Sequence, residues 1–495
     1  MKDLKHWKQK IQEKRKQTEF KTFMKEVGSW MPLTFYKHDG YVTKVPPTER
    51  QPHLVSLKQF EENRDNLLKT WIEYDENISF WENYERLFYK IDIAAVVDYG
   101  GSENADYADM TLESKNIYLT TVVITECENV MYGFSVKWNS SNVINGLAVR
   151  THSDNVYFCS GVVQSYKIFY SRFINNCNNL WFCSNMNGCT ECLFSNDLDN
   201  CKYYIKNKKY KKEEYFKEKE RLLKNKSKFS EYYSEVDKVG KNIASTDVQW
   251  SAIFNSENVE NGYHVDNLKN GRNLILVWWR DGNENMYDVF PGWSPIANDF
   301  YGVMWANWEH LYCCINIVTS SNMFYSRNCV GSSFCIWCIG LKNAQYCIFN
   351  KQYTKQEWNI LADKIFSSME SDGILWEFFP GSVNPFYFND TMASLLWNFK
   401  EDELKSEWYL WRDEEMKVDI PEWSDVISVS ELNKFQWYNE NWDWLINPAI
   451  LSKVIKDENW NYYRIVKMEY DFLMKHSLPP PEIHWMERIK VNFGI

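Results

Sequence analysis

Glycine and proline are scarce in this chain, 19 and 13 of its 495 residues. A linker-rich or disordered protein would need more of both and fewer aromatics. No apolar run reaches the roughly 18 residues that a membrane-spanning helix requires. The opening stretch MKDLKHWKQKIQEKRKQTEF has no apolar core of the signal-peptide kind and reads as a charged amphipathic helix. Cysteine is missing before Cys127 and after Cys347; all 13 lie between these two positions. An odd number without an export signal points to reduced thiols in a cytoplasm. Positive charge is in deficit, 56 Lys and Arg against 67 Asp and Glu, for a net charge of −11. Duplex nucleic acid or anionic lipid would gain little from whole-molecule attraction to such a chain. Aromatics, by contrast, are abundant: 24 Trp, 31 Tyr and 29 Phe make 17% of the sequence. That load supplies apolar surface for several cores or interfaces, and the length predicts two to four domains.

From residue 111 the sequence falls into short units in which a polar residue, usually Asn, precedes apolar ones: SKNIYLT, CENVMYGF, SSNVINGL, SDNVYFCS, SYKIFYSR, CNNLWFCS, GCTECLFS, LDNCKYYI. The anchors Asn116, Asn129, Asn142, Asn155, Lys167, Asn179, Thr190 and Asn200 follow one another in steps of 13, 13, 13, 12, 12, 11 and 10. Apolar–polar alternation between Asn, Ser and Gly turn formers is a strand signal. The pattern returns from residue 256, with anchors at Asn258, Asn273, Asn285, Asp299, His310, Asn322, Ser333 and Asn343. Its last three steps repeat those of the first array at a constant offset of 143, which also brings YYIKNKKYKKEEY onto YCIFNKQYTKQEW. Such an ungapped match predicts an internal duplication. Two units of about 12 residues would make one solenoid coil of roughly 24, and eight units a stack of four coils, about 19 Å tall at the usual strand spacing. Inward ladders would hold the cysteines, which are small and readily buried. A Lys/Glu-rich helix after each array, KKEEYFKEKERLLKNK and TKQEWNILADKIFSSM, would cover the open strand edge.

The candidates for chemistry are better explained by architecture. Cys189/Cys192 and Cys335/Cys338 form CxxC pairs, the usual knuckle of a zinc site. The offset of 143 places Cys192 on Cys335 but Cys189 on Ser332 and Cys338 on Ser195, so the pairs are not equivalent sites. The eight histidines show no HExxH or close ligand pairing. Asp106, Asp109 and Glu113 crowd the entry to the first array, where a solvated edge is the plainer reading than a glycosidase pair. The stretch Lys202–Lys228 interleaves lysines with Tyr and Phe, as single-strand nucleic-acid binders do; its Glu/Lys spacing points instead to a solvated helix face. No catalytic, cofactor-binding or metal-binding residue is assigned.

Residues 341–415 resemble an uncharacterised family found in tailed phages and in candidate-phylum bacteria with small genomes. The segments that carry the resemblance are LKNAQYCIFNKQYTKQEW (341–358), WEFFPGSVNPFYFNDTMA (376–393) and FKEDELKSEWYLW (399–411); the ending EYDFLMKHSLPPPEIHWMERIK (469–490) is similar as well. Together they cover about a quarter of the chain. The family carries Cys-rich knuckles downstream of these motifs, whereas no cysteine follows Cys347 here. The resemblance implies a phage protein.

The sequence therefore predicts a mixed, β-rich fold: two tandem β-solenoid-like arrays, each followed by a capping helix, with helical or irregular terminal regions. The expected segments are a mostly helical region (1–110), the first array (111–206), a Lys/Glu-rich helix (207–240), the second array (241–349), a helix with the EFFP segment (350–415) and a Trp-rich region (416–495). The expected function is that of a non-enzymatic structural or assembly protein without cofactor. It would be a rigid connector in a phage virion, made in the bacterial host cytoplasm, whose partners are other protein subunits rather than membrane or nucleic acid. The alternatives are a nucleic-acid-binding protein using the lysine-rich helices and a glycan-binding or glycan-processing solenoid.

Overall fold

The structure is a computed structural model. It describes residues 2–242 apart from 99 and 106, residues 245, 314, 317, 319–375, 377–413 and 424–493, and the backbone alone of strands between 246 and 312. Expectations that fall on Asp106, Asn273 and His310 lie outside the described residues. The chain forms two compact units, Met1–Val97 with Lys241–Asp413, and Asp98–Gly240 with Glu414–Ile495. Each unit thus joins a repeat region to a segment far away in sequence.

The second of these units contains a 14-stranded sheet, parallel throughout except for its last pair, Tyr204↔Lys209 and Ile205↔Lys208. Two ladders run through it. One passes through Glu128, Ser141, Asp154, Tyr166, Asn178, Thr190 and Lys202. The other passes through Thr121, Phe134, Leu147, Ser160, Arg172, Ser184 and Asn196. Successive rungs are offset by 13 as far as Asp154 or Ser160 and by 12 thereafter. Each sequence unit therefore closes a whole coil with two strands, and the expectation that two units are needed for one coil is wrong.

Backbone conformation explains how so short a segment closes. Residues in the left-handed region recur at every third position, as at Lys167, Tyr170, Phe173 and Asn176, then Asn179, Phe182, Asn185 and Gly188. Each turns the chain, and four complete a circuit. The longer early coils fit their additional residue by doubling one corner, at Thr125/Glu126, Trp138/Asn139 and Thr151/His152. Asn tolerates this conformation better than other side chains with a Cβ, which is why it marks the repeats. Its amides also form a ladder: Asn104 Nδ2 donates to Asn116 Oδ1 (2.8 Å), Asn116 to Asn129 (3.0 Å) and Asn129 to Asn142 (3.1 Å).

The apparent shortening of the last sequence units has the same origin. Glu191, not Thr190, occupies the corner equivalent to Asn179, and Asn200 sits three corners further on. The anchor moves while the coil keeps its length.

The inward side chains also follow a three-residue period rather than alternating, as in Ser165, Ile168, Ser171, Ile174, Cys177, Leu180, Cys183 and Met186, all buried. Two inward columns are aliphatic, Val130, Val143, Val156, Ile168, Leu180 and Cys192, and Val136, Val149, Val162, Ile174 and Met186. The other two hold small polar or thiol side chains, for which hydrogen bonding gives the reason. Ser165 Oγ donates to Val163 O (2.6 Å) and accepts the amide of Cys177 in the next coil (3.0 Å). Cys177 Sγ in turn donates to Asn175 O (3.1 Å) and accepts from the Cys189 amide (3.2 Å). A buried amide without a partner is costly, so these columns select side chains that both donate and accept.

The outer face of these coils is covered by residues 424–493. Trp485 stacks on Tyr132 at 5.9 Å, Phe472 on Tyr157 at 5.9 Å, and Asn492 Nδ2 donates to Asn145 O at 2.7 Å. The helix Lys212–Leu223 follows the last coil, with Tyr215 packed against Tyr203 at 5.6 Å.

The first unit has a nine-stranded sheet whose strands pair in chain order from Thr246–Phe254 to Lys351–Gln352. Its last rungs, Ser321↔Ser333↔Gln345, end in the antiparallel pair Ile348↔Lys351. Left-handed residues recur at Asn322, Tyr325, Asn328, Phe334, Trp337, Asn343 and Tyr346. Against them pack Phe80 on Trp337 (4.8 Å), Tyr74 on Phe349 (6.2 Å) and Trp358 of the helix Lys355–Ser371 on Phe334 (5.9 Å). Arg64 also donates to Gly340 O (3.0 Å) and Asn328 O (2.7 Å).

Candidate functional site

The residues singled out in the sequence do not converge on one site. Cys192 and Cys335 lie in aliphatic inward columns, whereas Cys189 and Cys338 lie in hydrogen-bonding columns. Burial pushes the thiols of Cys335 and Cys338 up, and a hydrogen bond with Cys189 together with burial raises Cys192; Cys189 alone of the four is lowered, to about 3, by its hydrogen bonds with Cys177 and Cys192. Protonated thiols are poor nucleophiles and poor ligands. Among the described residues, no group of three or more His, Cys, Asp or Glu side chains is placed to hold a metal ion. Asp109 is buried at 5% exposure, and Glu113 takes a left-handed corner. Part of the lysine-rich stretch is engaged internally: Lys219 pairs with Glu191 at 2.8 Å, and Lys224 lies 3.4 Å over the Trp442 ring.

A concave site of about 360 Å³ does exist in the unit that contains residues 98–240. Its floor is the outer face of two successive coils, with Tyr157 and Phe158 on one and Tyr170 and Arg172 on the next. One wall is the short helix Phe229–Ser234, with Phe229 and Tyr233; the other is Pro479–Pro481 with Arg488 and Val491 of the helix Trp485–Phe493. The rings brace one another, Phe158 against Tyr233 at 4.7 Å and Tyr170 against Phe229 at 5.6 Å. Three adjacent prolines add a stiff wall with few hydrogen-bond donors.

Four cationic side chains line this site, Arg172, Lys226, Lys238 and Arg488, against the single carboxylate of Glu482. Arg172 is 1% exposed; its terminal nitrogens donate to Asn492 O and Val491 O, and its guanidinium lies 4.9 Å over the Tyr233 ring. Arg488, also 1% exposed, is held by Glu469 at 2.7 Å. The Nε–H of each arginine is buried without a hydrogen-bond partner. Lys226 makes no ion pair among the described residues, and its ammonium lies 4.9 Å from the Phe229 ring centroid and 5.7 Å from that of Trp444. Burial among these rings lowers its pKa to about 7. Glu482 accepts from Ser230 Oγ at 2.8 Å. This is an aromatic-walled site with a surplus of donors and positive charge.

Sequence reasoning missed it because its parts are distant in the chain: Val491 and Asn492, which accept from Arg172, lie 319 and 320 positions beyond it. A signal was nevertheless present. The tetrapeptide FYSR occurs at Phe169–Arg172 and again at Phe324–Arg327, and in both places the arginine lies over aromatic rings.

Comparison of the chain with protein-family models, with curated proteins and with solved structures found no match. The fold and the geometry of the site carry the functional argument by themselves. What they define is a β-solenoid protein with helical terminal regions, and no helix among the described residues is long and apolar enough to cross a membrane.

Proposed function

We propose that the protein is a non-catalytic structural scaffold, a rigid connector in a phage particle, built from two duplicated solenoid arrays that each end on a capping helix. The observation that carries this reading is the coil itself. A chain that closes on itself within each sequence unit of the first array, with backbone ladders on two strands and side-chain hydrogen bonds between coils, has little freedom to change shape. Such a body suits holding partners at fixed positions. Spacing supports the duplication: the closing antiparallel pairs, Ile205↔Lys208 and Ile348↔Lys351, share the offset of 143 found in the sequence, as do Tyr215 and Trp358, the first large buried residues of the helices that follow. In each case that helix packs its aromatic ring over the last coil and so blocks an edge that could recruit another strand. The likeness of residues 341–415 to a phage-associated family supports the setting. Exposed Trp408, Trp442 and Trp460, at 64–69% exposure, are the aromatic anchors such a connector would offer to partner subunits.

Quantitative mass spectrometry of purified particles tests the proposal. A fixed copy number per particle is expected, and absence from particles would overturn it. A gel-shift series with single-stranded DNA across salt concentrations tests the nucleic-acid alternative, since a scaffold of this charge should give no salt-sensitive shift at moderate ionic strength.

A further inference from the structure

We propose that the aromatic site on the unit that contains residues 98–240 binds a small organic anion, a planar ring bearing one acidic group such as a carboxylate or a phosphate. Three independent observations converge on that chemistry. The walls are Tyr157, Phe158, Tyr170, Phe229 and Tyr233, whose faces suit a flat ring. The volume of this open cleft, about 360 Å³, lies at the small end of ligand sites, which run from about 300 to 1,000 Å³; it suits a one- or two-ring molecule and is far too small for a folded partner. The polar groups are donors. Arg172 and Arg488 each bring a buried Nε–H with no partner, an arrangement that a folded chain tolerates poorly unless something else accepts from it. Lys226 brings a cation that no carboxylate neutralises among the described residues.

The charge balance agrees. Four cations line the site against Glu482, and Glu469, behind Arg488, accounts for one more of them. Two positive charges therefore remain for a ligand when Lys226 is protonated, below a pH of about 7. A phosphate or carboxylate beside Lys226 would accept from its ammonium, with the two buried guanidinium groups adding positive charge behind the wall, while its ring packed against the aromatic lining. Glu482 at the margin would repel a second acidic group, which favours a singly substituted ring. This site makes no use of the scaffold reading and would stand if that reading failed.

Isothermal titration calorimetry of the full chain tests the proposal, with 1-naphthoate and adenosine monophosphate as anionic probes and 2-naphthalenemethanol as the neutral control. Saturable binding of at least one anion is expected, with the neutral alcohol about tenfold weaker or more, as expected for one charge-assisted hydrogen bond lost. Binding of naphthoate alone would identify an aromatic acid as the class, and binding of the nucleotide alone a phosphate. Lys226→Met should weaken the anion about tenfold and leave the alcohol unchanged. Because that change removes a half-buried amine lacking an ion partner, the melting temperature should hold or rise, so lost binding cannot be ascribed to unfolding. Glu482→Gln should tighten the anion about threefold. The proposal is overturned if neither anion binds at millimolar concentration, if the alcohol binds as tightly as the anions, or if Lys226→Met binds like the parent protein.

Discussion

Replacing Ser165 tests the physical rule for the solenoid interior. This hydroxyl, 2% exposed, donates to Val163 O in its own coil and accepts the Cys177 amide of the next. Alanine removes both bonds and leaves the buried Cys177 N–H unpartnered, while Val163 O keeps the Asn176 amide at 3.0 Å, at a cost of about 2 kcal/mol. Cysteine keeps a donor and an acceptor in the same place, as Cys177 and Cys189 do further along the column, and should cost no more than about 1 kcal/mol. Valine both removes the bonds and adds two methyl groups where Ser153 and Cys177 lie directly in register, for a total of about 4 kcal/mol. Because the chain has two compact units, a global melt would blend them. Hydrogen exchange of peptides spanning residues 165–181 reads the change locally, and about 2 kcal/mol corresponds to about 30-fold faster exchange. The reasoning is refuted if alanine exchanges like the parent, or if cysteine is as damaging as valine.

Three further outcomes are expected. Burial first, and then the nearby Arg488 charge, lower His484 to about 4 from an unfolded value of 6.5. The stability this neutral imidazole contributes is complete above pH 6.5 and is lost as pH falls towards 4, on the order of 2 kcal/mol; thermal melts from pH 7 to 4 should steepen there, and His484→Asn should flatten the curve. Glu469→Gln leaves Arg488 buried without its counter-charge and should cost about 3–5 kcal/mol by thermal denaturation, whereas the double replacement of Glu469 and Arg488 by Met should cost much less. Of the twelve cysteines described, eleven are buried and Cys201 alone is partly exposed, so a disulfide-exchange reagent should modify Cys201 first and those eleven only on unfolding.

The repeats were legible in the sequence because Asn is the residue with a Cβ that best tolerates the left-handed corner, so one corner of many successive coils stands out as a string of Asn. The size of the coil was not legible. Apolar–polar alternation, the ordinary strand signal, assumes extended backbone on every residue, whereas here every third residue is left-handed and the inward period is three. Tyr132, Phe173 and Phe182 occupy such corners without any compositional mark. The Ser and Cys columns read as small-residue filler until their paired hydrogen bonds were visible. The aromatic site was hidden for another reason: Arg172, Lys226 and Arg488 become neighbours only because the C-terminal segment returns to cover coils formed much earlier in the chain.

The doubled corner has a consequence for how such a chain can vary. Three coils admit one additional residue at Thr125/Glu126, Trp138/Asn139 and Thr151/His152, and both strand ladders continue across them without slipping. An insertion at that corner is absorbed locally, whereas one placed mid-strand would turn every inward side chain beyond it outward as far as the next corner. Length itself should change in whole windings, each adding about 4.8 Å of height. Evolution or design could therefore adjust this rod as a ruler, in fixed increments, while leaving its ends intact.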